Sequence, residues 1–486
     1  MIRTEPAKVR FSVALLPCAV LIVLVMLNAW CFGEDASSGP NQMALLLSGV
    51  LVVTLGWILL ALSYKDIEAK AIQSIVLAME AVLILLTVGC LIGLWILSGI
   101  VPSMIYYGIQ LFTPAVFLPS ACLICSIVSL AVGSSWSTMG TVGIALLGIG
   151  RALSFPDPLV AGAIVSGAYF GDKLSPLSDT TNLAPAVSGS ELFTHIRHML
   201  YSTIPSFLIA LLIFTGISLF YTPGAYNNAA VSEILDGIAA SFSVRWYLML
   251  IPLLVIVMAA KGIKAIPALT IGTLLGAAAA LLFQPQRFLS PAGESLSALE
   301  QYKMILLTAY EGFRLESGQP LTDTLLSRGG MAAMYDTVSL ILAAMFFGGA
   351  MEATGLMERL AQAVLSKVRG IATLIASTIG SCILCNIFLS DQYLAIVFPG
   401  RMFRSAYQHY RLDVRNLSRA LEDGGTLTSV LVPWNTCGAF AAGVLGVATF
   451  AYLPFCFFNL INPVVAVVLA AFHISIKYEE EKPAED

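Results

Sequence analysis

The residues of this chain whose types and spacing suit them for chemistry crowd into Gly171-Asp172-Lys173-Leu174-Ser175-Pro176-Leu177-Ser178-Asp179-Thr180-Thr181-Asn182-Leu183-Ala184. The stretch follows the apolar run from Leu159 to Phe170 and precedes Pro185-Ala186-Val187, so its polar groups fall where hydrocarbon would surround them. A carboxylate or ammonium at the centre of a membrane helix costs about 2.5–3.5 kcal/mol on insertion scales, and such groups persist where they serve ions, protons or substrates. Pro176 lacks a backbone donor and disfavours a helical Ser175, which predicts a broken helix with bared backbone groups. Asp172 and Asp179, with oxygens from Ser175, Ser178, Thr180 and Asn182, form a hard ligand set suited to sodium. A carboxylate pair in low dielectric also lets protonation compete with the cation. Lys173 is expected to pair with Asp172 and leave Asp179 to titrate, the alternative being the cytoplasmic interface.

Two further polar islands lie in apolar surroundings. Gly133 to Gly143 reads as a discontinuous or re-entrant element rather than a packing device, with Ser137 and Thr138 adding neutral oxygens. In the second half, Ser390-Asp391-Gln392-Tyr393 and the segment Glu422 to Gly438 place Asp391, Glu422, Asp423, Thr426 and Asn435 where they would complete or gate the site. There Asp423, then hydroxyls, a proline and an asparagine, repeat the order of Asp172, Ser175, Ser178 and Asn182. Plain spans, a polar island and a broken helix, met twice, are what an internal repeat leaves in a sequence.

The elements that must hold these residues are membrane helices. Of 486 residues, 58% are hydrophobic and 11% charged, with a mean hydropathy of +0.88, which leaves no large aqueous domain. A net charge of −4 offers no basis for binding nucleic acid. Most of the nine cysteines sit in apolar runs and read as packing residues. The pairs Cys122/Cys125 and Cys382/Cys385 have no accompanying histidine, so sodium is the only metal expected, with no transition-metal site and no cofactor. His195, His198, His409 and His473 lie outside the polar intramembrane motifs and are assigned solvated or interfacial positions.

The apolar runs predict an all-α polytopic membrane protein of about ten to twelve transmembrane helices, with discontinuous and re-entrant segments. Residues 1–222 form a first membrane repeat, 223–243 a connector, 244–472 a second repeat carrying a polar loop at 284–330, and 473–486 an acidic tail. The first span, from Phe11, is too long for a cleaved signal. Arg3, Lys8 and Arg10 before it, and Lys65 and Lys70 after the second span, place the N-terminus in the cytoplasm. Glu80, near the cytoplasmic end of the third span, is expected at the interface rather than in a transport path. Ser188 to Met199, and the stretch with Arg404, Arg411, Arg415 and Arg419, read as interfacial helices.

These blocks, with Trp95 to Pro102 and Ile105-Tyr106-Tyr107-Gly108, resemble the NhaC-type sodium/proton antiporters of the wider ion-transporter superfamily. Gly-Asp-Lys-x-Ser-Pro-x-Ser-Asp-Thr-Thr-Asn is the most specific of them; Val430 departs, since a proline is expected after Ser429. The resemblance implies a secondary transporter rather than an enzyme. It would exchange sodium for protons by alternating access, with inverted repeats and the aspartates as a shared Na+/H+ site. It further implies a bacterial inner membrane, lipid as the surrounding partner, and a homodimer. Some relatives move small organic anions or amino acids with sodium or protons, so a coupled malate/lactate or amino-acid carrier is the alternative, with Lys173 or Arg401 facing an anion. An intramembrane aspartate enzyme would want a tighter acidic signature or a metal motif beside basic residues.

Overall fold

The computed structural model of the chain describes residues 9–33, 36, 38–220, 228–290 and 293–479. Arg3, Lys8 and the tail beyond Glu479 lie outside the described residues. Regular structure is helical throughout, with three isolated bridges and no strand among the described residues. In chain order the helices begin with α1 (Phe11–Phe32), α2 (Pro40–Ile58), α3 (Tyr64–Leu77), α4 (Met79–Leu97), α5 (Ile100–Leu111) and α6 (Pro114–Val132). Next come α7 (Ser135–Thr138), a π turn (Met139–Gly143), α8 (Ile144–Ala152), α9 (Asp157–Leu174), α10 (Asp179–Ser188) and α11 (Leu192–Phe220). The middle holds α12 (Asn228–Ser241), α13 (Leu250–Ala260), α14 (Ala265–Phe283), α15 (Ala298–Glu311) and α16 (Pro320–Leu326). Then follow α17 (Tyr335–Ala353), α18 (Leu356–Leu365), α19 (Ile371–Phe388), α20 (Gln392–His409) and α21 (Val414–Leu421). A second π segment (Glu422–Thr426) leads to α22 (Leu427–Ser429), α23 (Thr436–Leu445), α24 (Thr449–Tyr452) and α25 (Phe457–Ala471).

Eight of the described helices are long and apolar enough to cross a membrane, α3 and α4 counting as one; two sharply bent pairs, α12 with α13 and α23 with α24, bring the number to ten. This is the low end of the expected range, because the helices that carry the polar islands are too short or too charged to meet the same criterion. They are buried instead against apolar neighbours. α9 lies against α6 because Gly167 and Gly171 have no side chain: a Cβ would come within 2.1 Å of the Cys122 carbonyl oxygen at the first and 2.3 Å of the Ser126 carbonyl oxygen at the second. The Ser129 hydroxyl then donates to the Ala168 carbonyl across the contact, at 2.6 Å.

Helix starts recur at a constant spacing. Those at 114, 135, 157, 179 and 192 reappear 257 positions later at 371, 392, 414, 436 and 449. Local chemistry recurs with them. Left-handed Gly133 corresponds to left-handed Ser390, and left-handed Gly189 to left-handed Gly446. The Ser129 to Ala168 bond has its counterpart in Asn386, whose amide donates to the Gly425 carbonyl at 2.7 Å. This spacing corrects one expectation. Pro176 falls on Pro433, so the partner of Asp172 is Ser429, whereas Asp423 corresponds to Ser166. The order of residue types matched, but the register was six residues off.

Other expectations change in detail. The interfacial helix expected at Ser188 to Met199 and the span expected after it are one continuous helix, α11. α12 occupies most of the expected connector, and the polar loop at 284–330 contains α15 and α16. The loop is tied into the membrane bundle where Gly330 N–H donates to the Gly89 carbonyl at 2.8 Å.

Candidate functional site

Four helix starts point at one place. Ser134 caps α7 by accepting from Ser137 N–H at 3.2 Å, and Asp391 caps α20 by accepting from Leu394 N–H at 3.0 Å. Ser178 caps α10 through Thr181 N–H at 3.5 Å, and Asn435 caps α23 through Cys437 N–H at 3.0 Å. Each cap is a residue type whose short oxygen suits the first turn. The four starts surround a cavity of about 520 Å³. Its walls come in corresponding pairs from the two halves: Ser134 with Asp391, Ser135 with Gln392, Trp136 with Tyr393, Asp179 with Thr436, and Thr180 with Cys437. The 257-residue recurrence thus converges on this cavity.

Asp172 enters from the last turn of α9 and is 6% exposed. Its Oδ2 accepts from Ser135 N–H at 3.1 Å and from the Ser135 hydroxyl at 2.7 Å, so the re-entrant α7 fixes its orientation. Asp391 is 4% exposed and accepts from the Thr436 hydroxyl at the edge of bonding distance, 3.5 Å. Asp179, in the first turn of α10, is exposed to the cavity. Helix N-termini stabilise carboxylates placed there. Glu80 lines the same cavity from the first turn of α4, just after the break at Ala78, and exposed Lys264 is the one cation in its wall among the described residues. Four carboxylates against one ammonium make this a place for positive charge.

Of the residues expected in a first-half site, Asp172, Asp179, Ser178, Thr180 and Ser137 line the cavity. Ser175, Asn182 and Thr138 do not; they hold the broken backbone. Ser175 accepts from Leu177 N–H at 3.3 Å, and the Asn182 amide donates to the Pro176 and Ser178 carbonyls at 2.8 and 2.7 Å. The Thr138 hydroxyl donates to the Ser134 carbonyl at 3.0 Å. Thr181, not singled out from sequence, satisfies the bared end of α9 by donating to the Asp172 and Lys173 carbonyls at 3.1 and 3.0 Å. Of the residues expected in a second-half site, Asp391 lines the cavity and Glu422, Asp423, Thr426 and Asn435 do not. Asn435 is fully buried and donates to the Asn386 side-chain oxygen at 3.0 Å. Trp434, read as packing on broken backbone, donates to the Ile387 carbonyl at 2.6 Å.

Lys173 corrects another expectation. It is fully buried and pairs with Asp423 of the second half, not with Asp172. Successive helix residues point about 100° apart, so Asp172 faces the cavity while Lys173 faces the π segment. Asp423 also accepts from Ser202 at 3.0 Å and Asn462 at 2.6 Å, with Arg419 Nε at 3.9 Å. Arg419, expected at an interface, is 1% exposed. His195 and His198, assigned to solvent or interface, are buried at 0% and 3% exposure, and His195 Nδ1 meets the Ser418 hydroxyl at 2.6 Å. Glu80, Gln392 and Thr436 were missed as site residues. The 257-residue recurrence is the signal that would have found the last two, as counterparts of Ser135 and Asp179.

Comparison with known proteins gives the family. A model of the Na+/H+ antiporter family matches residues 167–474. The chain is 39% identical over 429 residues, 88% of each chain, to the Malate-2H(+)/Na(+)-lactate antiporter of Bacillus subtilis. It is 36% identical over 421 residues, 87% of this chain and 88% of the other, to the Na(+)/H(+) antiporter NhaC of Alkalihalophilus pseudofirmus. With the arginine/ornithine antiporter ArcD of Halobacterium salinarum it shares 35% identity over 480 residues, 98% of this chain and 95% of that one.

Proposed function

We propose that this chain, which belongs to the Na+/H+ antiporter family and is a multi-pass membrane transporter rather than an enzyme, exchanges sodium for protons at the cavity between α7, α10, α20 and α23. The observation that carries this reading is the excess of carboxylate: Glu80, Asp172, Asp179 and Asp391 against Lys264 alone. Sodium takes carboxylate and hydroxyl oxygens, and negative charge gathered in one place couples the binding of a cation to that of a proton. Cation binding and proton binding then oppose one another. The recurrence of helix starts supports two structural copies, which in this reading are inverted in sense and rock about the cavity to open it to either side. Lys65 and Lys70, on α3, support a cytoplasmic N-terminus.

A second reading has its own observation. The cavity, at about 520 Å³, is far larger than an ion needs. It has room for an amino acid, and its charge favours a basic one over a dicarboxylate. Neither Lys173 nor Arg401 lines it to meet an anion.

Sealed proteoliposomes with a trapped pH dye separate these readings. Pulses of sodium, lithium and potassium, then arginine, ornithine, malate and lactate, would be applied under an imposed pH gradient. Sodium alone is expected to drive proton movement. Silence to every cation, with a response only to an organic solute, would overturn the sodium/proton reading.

A further inference from the structure

Among the described residues without any exposure, Glu422 is the one carboxylate whose two oxygens both lack a hydrogen-bond partner. It is 0% exposed, at the start of the π segment, and neither carboxylate oxygen has a hydrogen-bond partner. Thr426, four residues on in the same π segment, also has an unpartnered hydroxyl. Such π segments are rare and favour functional sites. Of the neighbouring positive charges, Lys173 is paired with Asp423, and Arg419 donates through Nη1 to the Ser475 hydroxyl at 2.6 Å while its Nη2 has no partner. An ionised carboxylate here would bear a desolvation cost of several kcal/mol, met by the charges of Lys173 and Arg419 across the cluster rather than by a hydrogen bond already made.

The helix packed on this π segment has unsatisfied polar atoms of its own. On α25, which packs against the π segment, Asn462 donates to Asp423 at 2.6 Å and Asn459 donates to the Leu427 carbonyl at 2.9 Å. Both are fully buried, and the side-chain oxygen of each is left without a donor. The spacing sharpens the point: Glu422 corresponds to Val165 and Asp423 to Ser166, so the first half has no such group.

We propose that Glu422 carries an exchangeable proton at a site separate from the cation cavity, and that cation binding at Asp172 discharges it. This rests on the cation/proton reading above and assigns the proton to a different residue from the cation. The charged and titratable groups that face Glu422 are Lys173 and Asp172 from α9, Arg419 and Asp423 from its own helix, Cys382 from α19, and Tyr407 beside Arg419 and Asp423 from α20. With Glu422 protonated, Lys173, Arg419 and Asp423 leave one net positive charge; with it ionised, the group is neutral. Asp172 as an anion favours the proton on Glu422. A cation that neutralises Asp172 removes that influence, the Glu422 O–H bond breaks, and the proton passes to water on the side then open. Cation in and proton out is the sign that antiport requires.

The test is E422Q in proteoliposomes, with two readouts. Sodium-driven proton movement is expected to fall about a hundredfold, the low end of what a positioned proton-transfer group contributes, while exchange of labelled sodium for sodium continues. Undiminished proton movement per sodium in E422Q would overturn the inference. Should E422Q fail to fold, the wild-type protein still answers. Dicyclohexylcarbodiimide labels protonated buried carboxyls, and mass spectrometry should find Glu422 labelled without sodium and protected by it. Glu422 unlabelled in both conditions, or labelled equally, overturns it. Wild-type protein in which no cation moves protons would instead refute the cation/proton reading itself.

Discussion

Breaking the Lys173–Asp423 pair should cost more than any surface change, and the other half of the molecule supplies the replacement that should restore it. Both side chains are fully buried. In Lys173→Val, Asp423 keeps two neutral donors, Ser202 and Asn462, and the more distant Arg419. Removing one member of a buried pair costs about 3–5 kcal/mol because the other charge is stranded. The remaining donors put this case near 3 kcal/mol, at the lower end of that range. The positions equivalent to Lys173 and Asp423 are Val430 and Ser166, so K173V/D423S copies side chains that the fold already accommodates at the matching places. Denaturation in detergent, run as a double-mutant cycle, should show K173V strongly destabilised and the double variant recovering most of the loss. K173V within about 1 kcal/mol of the wild type, a surface-pair value, or a coupling energy near zero, would refute the claim that this pair ties the two halves together.

Further outcomes follow from single contacts. Asp172→Asn keeps an acceptor for Ser135 but removes the charge; a charge-assisted hydrogen bond is worth about 1.5–3 kcal/mol, so sodium affinity measured by titration should fall about tenfold to a hundredfold. Glu80→Gln should weaken sodium binding roughly threefold to fivefold at low ionic strength and less in choline chloride, since an exposed charge acts through screened solvent. Gly167→Ala should cost about 1–3 kcal/mol in denaturation experiments, because its Cβ would meet the Cys122 carbonyl at 2.1 Å and α6 would have to move. Asn435→Ala removes the cap of α23 and the bonds to Asn386; a loss of about 1–2 kcal/mol is expected, with transport falling in parallel.

The sequence made Asp172, Ser178 and Asp179 legible because a dense polar island between apolar runs is costly and therefore informative. Composition made the all-helical membrane architecture legible for the same reason. Lys173 was harder: its partner lies 250 residues away, and no local period encodes a contact of that kind. Glu80 was expected at the interface because a charge near a span end is cheap there; the structure sets it in a cavity wall, just after the break at Ala78. Glu422 and Asp423 were grouped with Asp391 as one second-half site. The structure divides them, since Asp391 caps a helix start at the cavity whereas the other two lie inside the π segment. The register error between halves had a simple source. Residue types in order are a weaker guide than spacing, and the prolines, matched at 257, were the better anchor.

The central claim is that sodium binds the cavity carboxylates in exchange for protons. Calorimetric titration of sodium into the purified protein, repeated in two buffers of different ionisation enthalpy, tests it most directly. The account predicts sodium binding that releases protons, seen as a buffer-dependent heat, and its loss in D172N. A sodium heat that is independent of buffer, or that survives D172N unchanged, would contradict it.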